Sequence, residues 1–388
     1  MMGFVWHERG ENWRPTRGQE LLLRCAFREG ESALAAWRIW KASEDIYRLD
    51  PHSWRLLPLV HANLEKFEIS DPLLLRLKSV RRKTWYQSQM LFARADPILD
   101  ACRTAGLKNI LLKGAALILS SYRDPSLRPL EDIDILIARE EIDEARLIFE
   151  GLNWRLRCKP SISKDFYWMW ANHAFAYTDD QGGQIDLHWD IRMFHGPDDM
   201  DGTIWRHVGV VHRRGRKQLI LSPEDQLLHI LDHATGPRPS PIRWIPDALF
   251  LLRTSAGGMD WGRFVDRSVK QRMVLRSRKM LLYLKESFDA NIPEVILQSL
   301  QGKTATRFEI RYYKTTLSGR TGALFWSGHF FRPLFLLSFD PQSRQAPLTY
   351  AVRYWKLWKA VHNIRFIWDI PSKAAGMVSR ALKKHGAK

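Results

Sequence analysis

Glu131-Asp132-Ile133-Asp134-Ile135-Leu136-Ile137 is the stretch on which the fold turns. Side chains two residues apart on a strand share a face. Asp132 and Asp134 therefore stand together, while Ile133, Ile135 and Ile137 point the other way, into a core. Two adjacent carboxylates repel each other and are costly to desolvate, and a divalent cation is the usual remedy. Taken alone, the pattern also fits an exposed strand with two solvated acids. A second stretch, Gln184-Ile185-Asp186-Leu187-His188-Trp189-Asp190, repeats the alternation. Asp186, His188 and Asp190 share one face, and Ile185, Leu187, Trp189 and Ile191 share the other. If the two strands pair, three carboxylates converge on one metal cluster. Two metals about 3.5–4 Å apart can activate a hydroxyl and stabilise a leaving pyrophosphate.

Outward from these strands the chain reads as alternating elements. Asn109–Leu112 is a short apolar strand, followed by Lys113-Gly114 and a predicted short helix over 115–122. A glycine before a helix N-terminus exposes backbone N–H groups to phosphate. Arg128, four residues before Asp132, can add a charge-assisted contact. Glu140–Phe149 reads as a helix stopped by Gly151. Trp154–Cys158, Ala174–Thr178 and Gln184–Ile191 read as strands, with Asp180-Gln181-Gly182-Gly183 as a hairpin turn. Residues 15–107 read as helical. Asp71-Pro72 opens a long amphipathic helix that Pro97 is expected to break or kink and Gly106 to end. Helices return after the Ser222-Pro223-Glu224-Asp225 cap, near 223–234, 243–253 and 273–289. The expected class is α+β. A small mixed β-sheet core (108–215) lies between an N-terminal helical region (1–107) and a second helical domain (216–300), and a basic, aromatic extension (301–388) follows.

The string LLKGAALILSSY, RPLEDIDILI and QIDLHWDI resembles the polymerase-β-like nucleotidyltransferase superfamily, and within it the uncharacterised bacterial nucleotidyltransferase branch. The resemblance extends to SPEDQLLHILDHA and IRWIPDALFLL and covers roughly 15–297. It implies transfer of a nucleoside monophosphate from an NTP to an acceptor hydroxyl, with pyrophosphate leaving. Asp132 and Asp134 would hold two Mg²⁺ ions, with Mn²⁺ as an alternative, and Asp186 would be the third carboxylate on the catalytic metal. Lys113, Gly114, Arg128 and His188 would meet the nucleotide. One departure is Ala115, where the superfamily turn usually has a hydroxyl or a second glycine. It keeps a non-catalytic nucleotide-binding protein of the same fold among the readings. A toxin-like enzyme modifying tRNA ends is compatible with the basic tail. A glycosyltransferase reading of Asp-x-Asp leaves Asp186 and the Lys-Gly turn unexplained.

Composition narrows the setting. The chain has 388 residues, a hydrophobic fraction of 45% and a net charge of +18. That is ample apolar material for a core and excludes disorder throughout. Residues 301–388 carry 16 Lys/Arg against 3 Asp/Glu, so the first 300 residues hold only +5 of the total. This points to a polyanionic neighbour, RNA or an anionic membrane surface, or to a solvated basic face. Tyr350, Arg353, Tyr354, Trp355, Lys356, Trp358 and Lys359 could stack on single-stranded RNA or lie on a membrane. Thr321–Phe339, interrupted by charge and proline, is too polar to span a bilayer. Cys25, Cys102 and Cys158 have no metal or disulfide spacing, and the N-terminus lacks a secretory apolar run. A cytoplasmic protein, peripheral to the membrane at most, is expected. His229 and His233, at i and i+4, could bind zinc but are read as an ordinary helix-face pair. Arg243 and Asp247 are read as part of an Arg–Asp pair holding helices together.

Overall fold

The structure is a computed structural model. It describes residues 11, 13–157, 173–191, 201–235, 242–307, 309–310 and 313–314. Cys158, Thr321–Phe339 and the aromatic tail lie outside the described residues.

Seven strands form one mixed sheet: β1 (Asn109–Leu111), β2 (Ile133–Ile137), β3 (Arg155–Leu156), β4 (Ala174–Thr178), β5 (Gln184–His188), β6 (Val208–Arg213) and β7 (Arg216–Leu221). Their spatial order is β3-β4-β5-β2-β1-β7-β6. β2 and β5 pair in parallel and β2 and β1 antiparallel, while β1 and β7 are parallel. The α+β class holds. The alternation read from β2 holds as well. Ile133, Ile135 and Ile137 are fully buried with Phe175, Tyr177, Ile185 and Leu187 in one apolar cluster. Helices Leu73–Thr104 and Ile142–Gly151 supply the other wall of that cluster through Phe92, Ile98, Leu99, Ala145 and Phe149. The opposite face carries Asp134, Asp186 and His188.

Local chemistry explains the boundaries. The Asp71 carboxylate accepts from the Leu73 N–H at 3.0 Å and opens the long helix as expected. Pro97 does not break it, and the helix runs 32 residues from Leu73 to Thr104. Proline at 97 removes the bond to the carbonyl of Ala93, but Ala93 and Pro97 both lie on the exposed face, where water can take that carbonyl. The helix after Lys113 spans Lys113–Leu117 and widens into a π turn over Ile118–Tyr122. β5 ends at His188, short of the expected Ile191, because its ladder with β4 ends at the Ala174–His188 pair. Asp190 therefore lies beyond the strand.

The β6–β7 hairpin has no counterpart in the sequence expectation. Its turn, Arg214-Gly215, has φ values of 50° and 74°. These are the two left-handed positions of a tight hairpin turn, which glycine fills without strain. β7 pairs with β1, so the sheet continues through residue 221.

The helical parts on either side of the sheet in sequence share one core. Trp13, Leu22, Trp37, Trp40, Leu56 and Leu77 bury with Leu228, Trp244, Leu249, Phe264, Met280 and Leu300. The Leu73–Thr104 helix contributes its first half to this core and its second half to the cluster under the sheet. Tyr122, at the end of the π turn, stacks on Phe250 at 4.2 Å between ring centres within this helical core. Among the described residues, no helix is long and apolar enough to cross a membrane.

Candidate active site

The register of β2 and β5 sets the site. Asp134 lies directly opposite Asp186, and Leu136 opposite His188. A parallel pair aligned in this way puts both carboxylates on the same sheet face about one strand spacing apart. Asp134 is 2% exposed and His188 1%. The His188 Nε2 lies 2.8 Å from Asp134 Oδ1, and its Nδ1 lies 3.3 Å from the Asp190 carbonyl. Lys113 donates its ammonium to the same Asp134 oxygen. Asp134, Asp186 and His188 each offer a ligand atom, all within 4.8 Å of one another.

Charge is distributed unequally over the three acids. Burial would raise the Asp134 pKa, but Lys113 and His188 overcome it and hold that carboxyl well below its ordinary range. Asp132, just before β2, is raised to about 6 by burial and by the Asp134 charge. Asp186 is raised for the same two reasons. Asp132 and Asp186 thus bear the uncompensated repulsion, and Asp134 does not. Lys113 is itself raised, because Asp134, Asp132 and Asp186 outweigh the cost of its burial. Two raised carboxylates, a buried third and an imidazole at ligand distance suit a divalent cation, which would relieve the repulsion that raises the pKa values. His173 adds a ring 5.2 Å from His188, with its buried Nδ1 unpartnered. Burial, then the neighbouring His188 and Lys113, hold the His173 pKa well below its ordinary value.

The Lys113 backbone has φ 45°, a left-handed value rare for a side chain of its kind. Such strain, of order 1–3 kcal/mol, persists only where surroundings over-determine it. Here β1 feeds the turn from one side, and the Asp134 ion pair holds the side chain on the other. Gly114 follows for a steric reason. A Cβ at this position would overlap Arg128 Nη1 and Leu130 Cδ2 and lie 2.9 Å from Arg128 Cζ.

Arg128 is held by Asp247. Its Nε and Nη2 donate to the two Asp247 oxygens at 2.7 and 2.8 Å, and Tyr122 OH donates to the same carboxylate at 2.8 Å. Burial works against the Arg128 charge, but Asp247 more than restores it. The Asp247 half of the expected Arg–Asp pair is thus real, with Arg128 as its partner. Nothing local in the sequence joins residues 119 positions apart. Arg243 sits beside them, and its pKa is lowered to about 10 by burial and by the Arg128 charge.

The structure therefore brings Asp134, Asp186 and His188 to ligand distance, with Lys113 on Asp134, while Asp132 lies near enough to feel their charges but is not part of that group. It places Gly114 and Arg128 beside them, each engaged with the other. His188 on the face of Asp186 was visible in the strand alternation, but its contact with Asp134 was not. Arg243 and Asp247 were visible as a motif, but their relation to Arg128 was not. Ala115 is 1% exposed within the apolar core.

Residues 52–289 match the family model described as uncharacterised nucleotidyltransferase. The match covers more than half of the chain, and the chain belongs to that family. The comparisons with curated proteins and with solved structures found no match.

Proposed function

We propose that the chain catalyses divalent-metal-dependent transfer of a nucleoside monophosphate from an NTP to an acceptor hydroxyl. The observation that carries this reading is the in-register pairing of Asp134 with Asp186, with His188 at ligand distance from both. Asp132, Asp134 and Asp186 are the residues that would hold Mg²⁺ or Mn²⁺. The cation, when bound there, would supply charge neutralisation for the crowded acids and for the leaving phosphates. Lys113, already against Asp134, is placed to meet a phosphate oxygen at the same acids. His188 orients Asp134 through its 2.8 Å contact. Asp186 would take the proton of the acceptor hydroxyl. The acceptor oxygen then bonds to the α-phosphorus. The bond from that phosphorus to the bridging oxygen breaks, and pyrophosphate leaves with the electron pair.

Ala115 lies in the core and does not line the cleft. A hydroxyl at this position would face apolar side chains, so its absence does not favour the non-catalytic reading. The proposed working division keeps the helical region (1–107) and the basic extension (301–388) and moves the boundary between the core and the helical domain from 215 to 221, because β7 belongs to the sheet. RNA or an anionic membrane remains the proposed neighbour of the extension.

The test is transfer from four α-labelled NTPs into fractionated cell extract, with Mg²⁺ or Mn²⁺, for wild type beside Asp186→Asn. Label in one acceptor fraction, lost in the variant, supports the reading. Equal labelling by the variant refutes the assignment of Asp186.

A further inference from the structure

A cleft of about 520 Å³, including its open mouth, adjoins the acids. Its walls come from three places far apart in sequence: the β1–Lys113 turn, the helix Pro223–Ala234, and the start of the helix Trp244–Thr254. Lys113 is common to both sites, since it lines the cleft and donates to Asp134. The polar lining is cationic or neutral apart from Asp247, whose two oxygens are occupied by Arg128 and Tyr122.

Arg243 is different from its neighbours. Lys113 has Asp134 and Arg128 has Asp247, but among the described residues no hydrogen bond or ion pair engages the Arg243 guanidinium. A partly buried guanidinium beside a second one is an unfavourable arrangement without an anion. His229 and His233 line the same wall. A guanidinium without an ion-pair partner at a cleft wall suits an anionic ligand. The charges indicate which kind. Asp132, Asp134, Asp186 and Asp247 stand against Lys113, Arg128 and Arg243. Two divalent cations on the acids would turn this excess of one negative charge into a marked positive one, which suits a polyphosphate.

We infer that this cleft seats the terminal phosphates of the substrate, and that Arg243 is the residue that grips them. The inference rests on the nucleotidyl-transfer reading for the identity of the substrate, but the anion site can be tested without that reaction. Arg243 supplies donors in a fixed planar fork that match phosphate oxygens. Lys113 bridges from the phosphate chain to the acids.

The experiment is calorimetric titration of the full chain with inorganic pyrophosphate in the presence of Mg²⁺. It compares wild type, Arg243→Gln, Arg243→Lys, and Arg48→Gln as a surface control. Wild type and Arg48→Gln should bind alike. Arg243→Gln should weaken binding about ten- to a hundredfold, the worth of a charge-assisted pair of hydrogen bonds, and Arg243→Lys should fall between. Because no hydrogen bond or ion pair engages Arg243 among the described residues, the urea midpoint of Arg243→Gln should be no lower than wild type. If that variant fails to fold, His233→Glu takes its place. It puts a carboxylate at the cleft mouth and should weaken pyrophosphate binding at least tenfold. Failure of wild type to bind pyrophosphate, or equal binding by Arg243→Gln or by a substituted His233→Glu, overturns the inference. Asp186→Asn separates the two readings. Pyrophosphate binding that depends on Arg243, in a protein with no transfer activity, supports the anion site and counts against nucleotidyl transfer. Transfer lost in Asp186→Asn, with binding indifferent to Arg243, overturns the anion site alone.

Discussion

Gly114→Ala separates a steric role for this glycine from a phosphate-binding one. The new methyl group would overlap Arg128 Nη1 and Leu130 Cδ2. The end of an arginine usually yields at little cost. Here it cannot, because Nε and Nη2 are fixed on Asp247 and the pair is buried, with side chains 5% and 6% exposed. If the backbone moves instead, overpacking costs about 1–3 kcal/mol. If Arg128 leaves Asp247, an uncompensated buried carboxylate costs about 3–5 kcal/mol. Alanine returns about 1 kcal/mol through its better helix propensity. The cheaper backbone route sets the loss, and overlaps this deep take its upper end, so the expected net is about 2 kcal/mol, read as a lower urea midpoint at unchanged slope. In an Arg128→Ala background the same change should cost about 1 kcal/mol or less, so the two sites couple by at least about 1 kcal/mol. Stability within about 0.5 kcal/mol of wild type, or equal cost in both backgrounds, would refute the steric account. Weakened nucleotide binding at full stability would restore the phosphate account in its place.

The acids should respond differently to neutralisation in metal-free buffer. Asp134→Asn leaves the Lys113 ammonium and the His188 ring without their carboxylate and should destabilise by about 3 kcal/mol, whereas Asp186→Asn removes a repelled charge and should be neutral or slightly stabilising. Chemical denaturation in EDTA checks both, and equal losses would contradict the charge distribution described. Stability should also fall as pH drops below about 6.5. Burial, with the neighbouring His233 and Lys113, holds His229 well below that value in the folded chain, so between the two pKa values the unfolded chain binds the extra proton. The slope for one such group is at most about 1.4 kcal/mol per pH unit. His229→Gln should flatten the dependence of the urea midpoint between pH 7 and pH 5, and an unchanged slope would assign it to other groups.

The division between sequence and structure is clear in particular residues. Alternation was enough to place Asp132 with Asp134 on one face of the first strand and Asp186 with His188 on one face of the second, because side-chain direction on a strand depends only on the backbone of neighbouring residues. The caps at Asp71 and Ser222 were legible for the same reason: each acts on an N–H two or three residues away. Pro97 misled because its effect depends on whether the freed carbonyl faces solvent, which is a property of the packed helix. The β6–β7 hairpin was missed because Arg214-Gly215 is a weaker turn signal than Asn-Gly or Asp-Gly.

What the sequence by itself determined was therefore the set of acids, their face and the helices around them. The tertiary structure alone decided that Asp134 faces Asp186, that Lys113 neutralises only one of the acids, and that Arg128 turns to Asp247. It alone left the Arg243 guanidinium, among the described residues, without an acid ion-paired to it in the cleft. Those outcomes depend on distances between segments far apart along the chain. They are set by how the sheet and the shared helical core pack, not by any rule that acts along the chain.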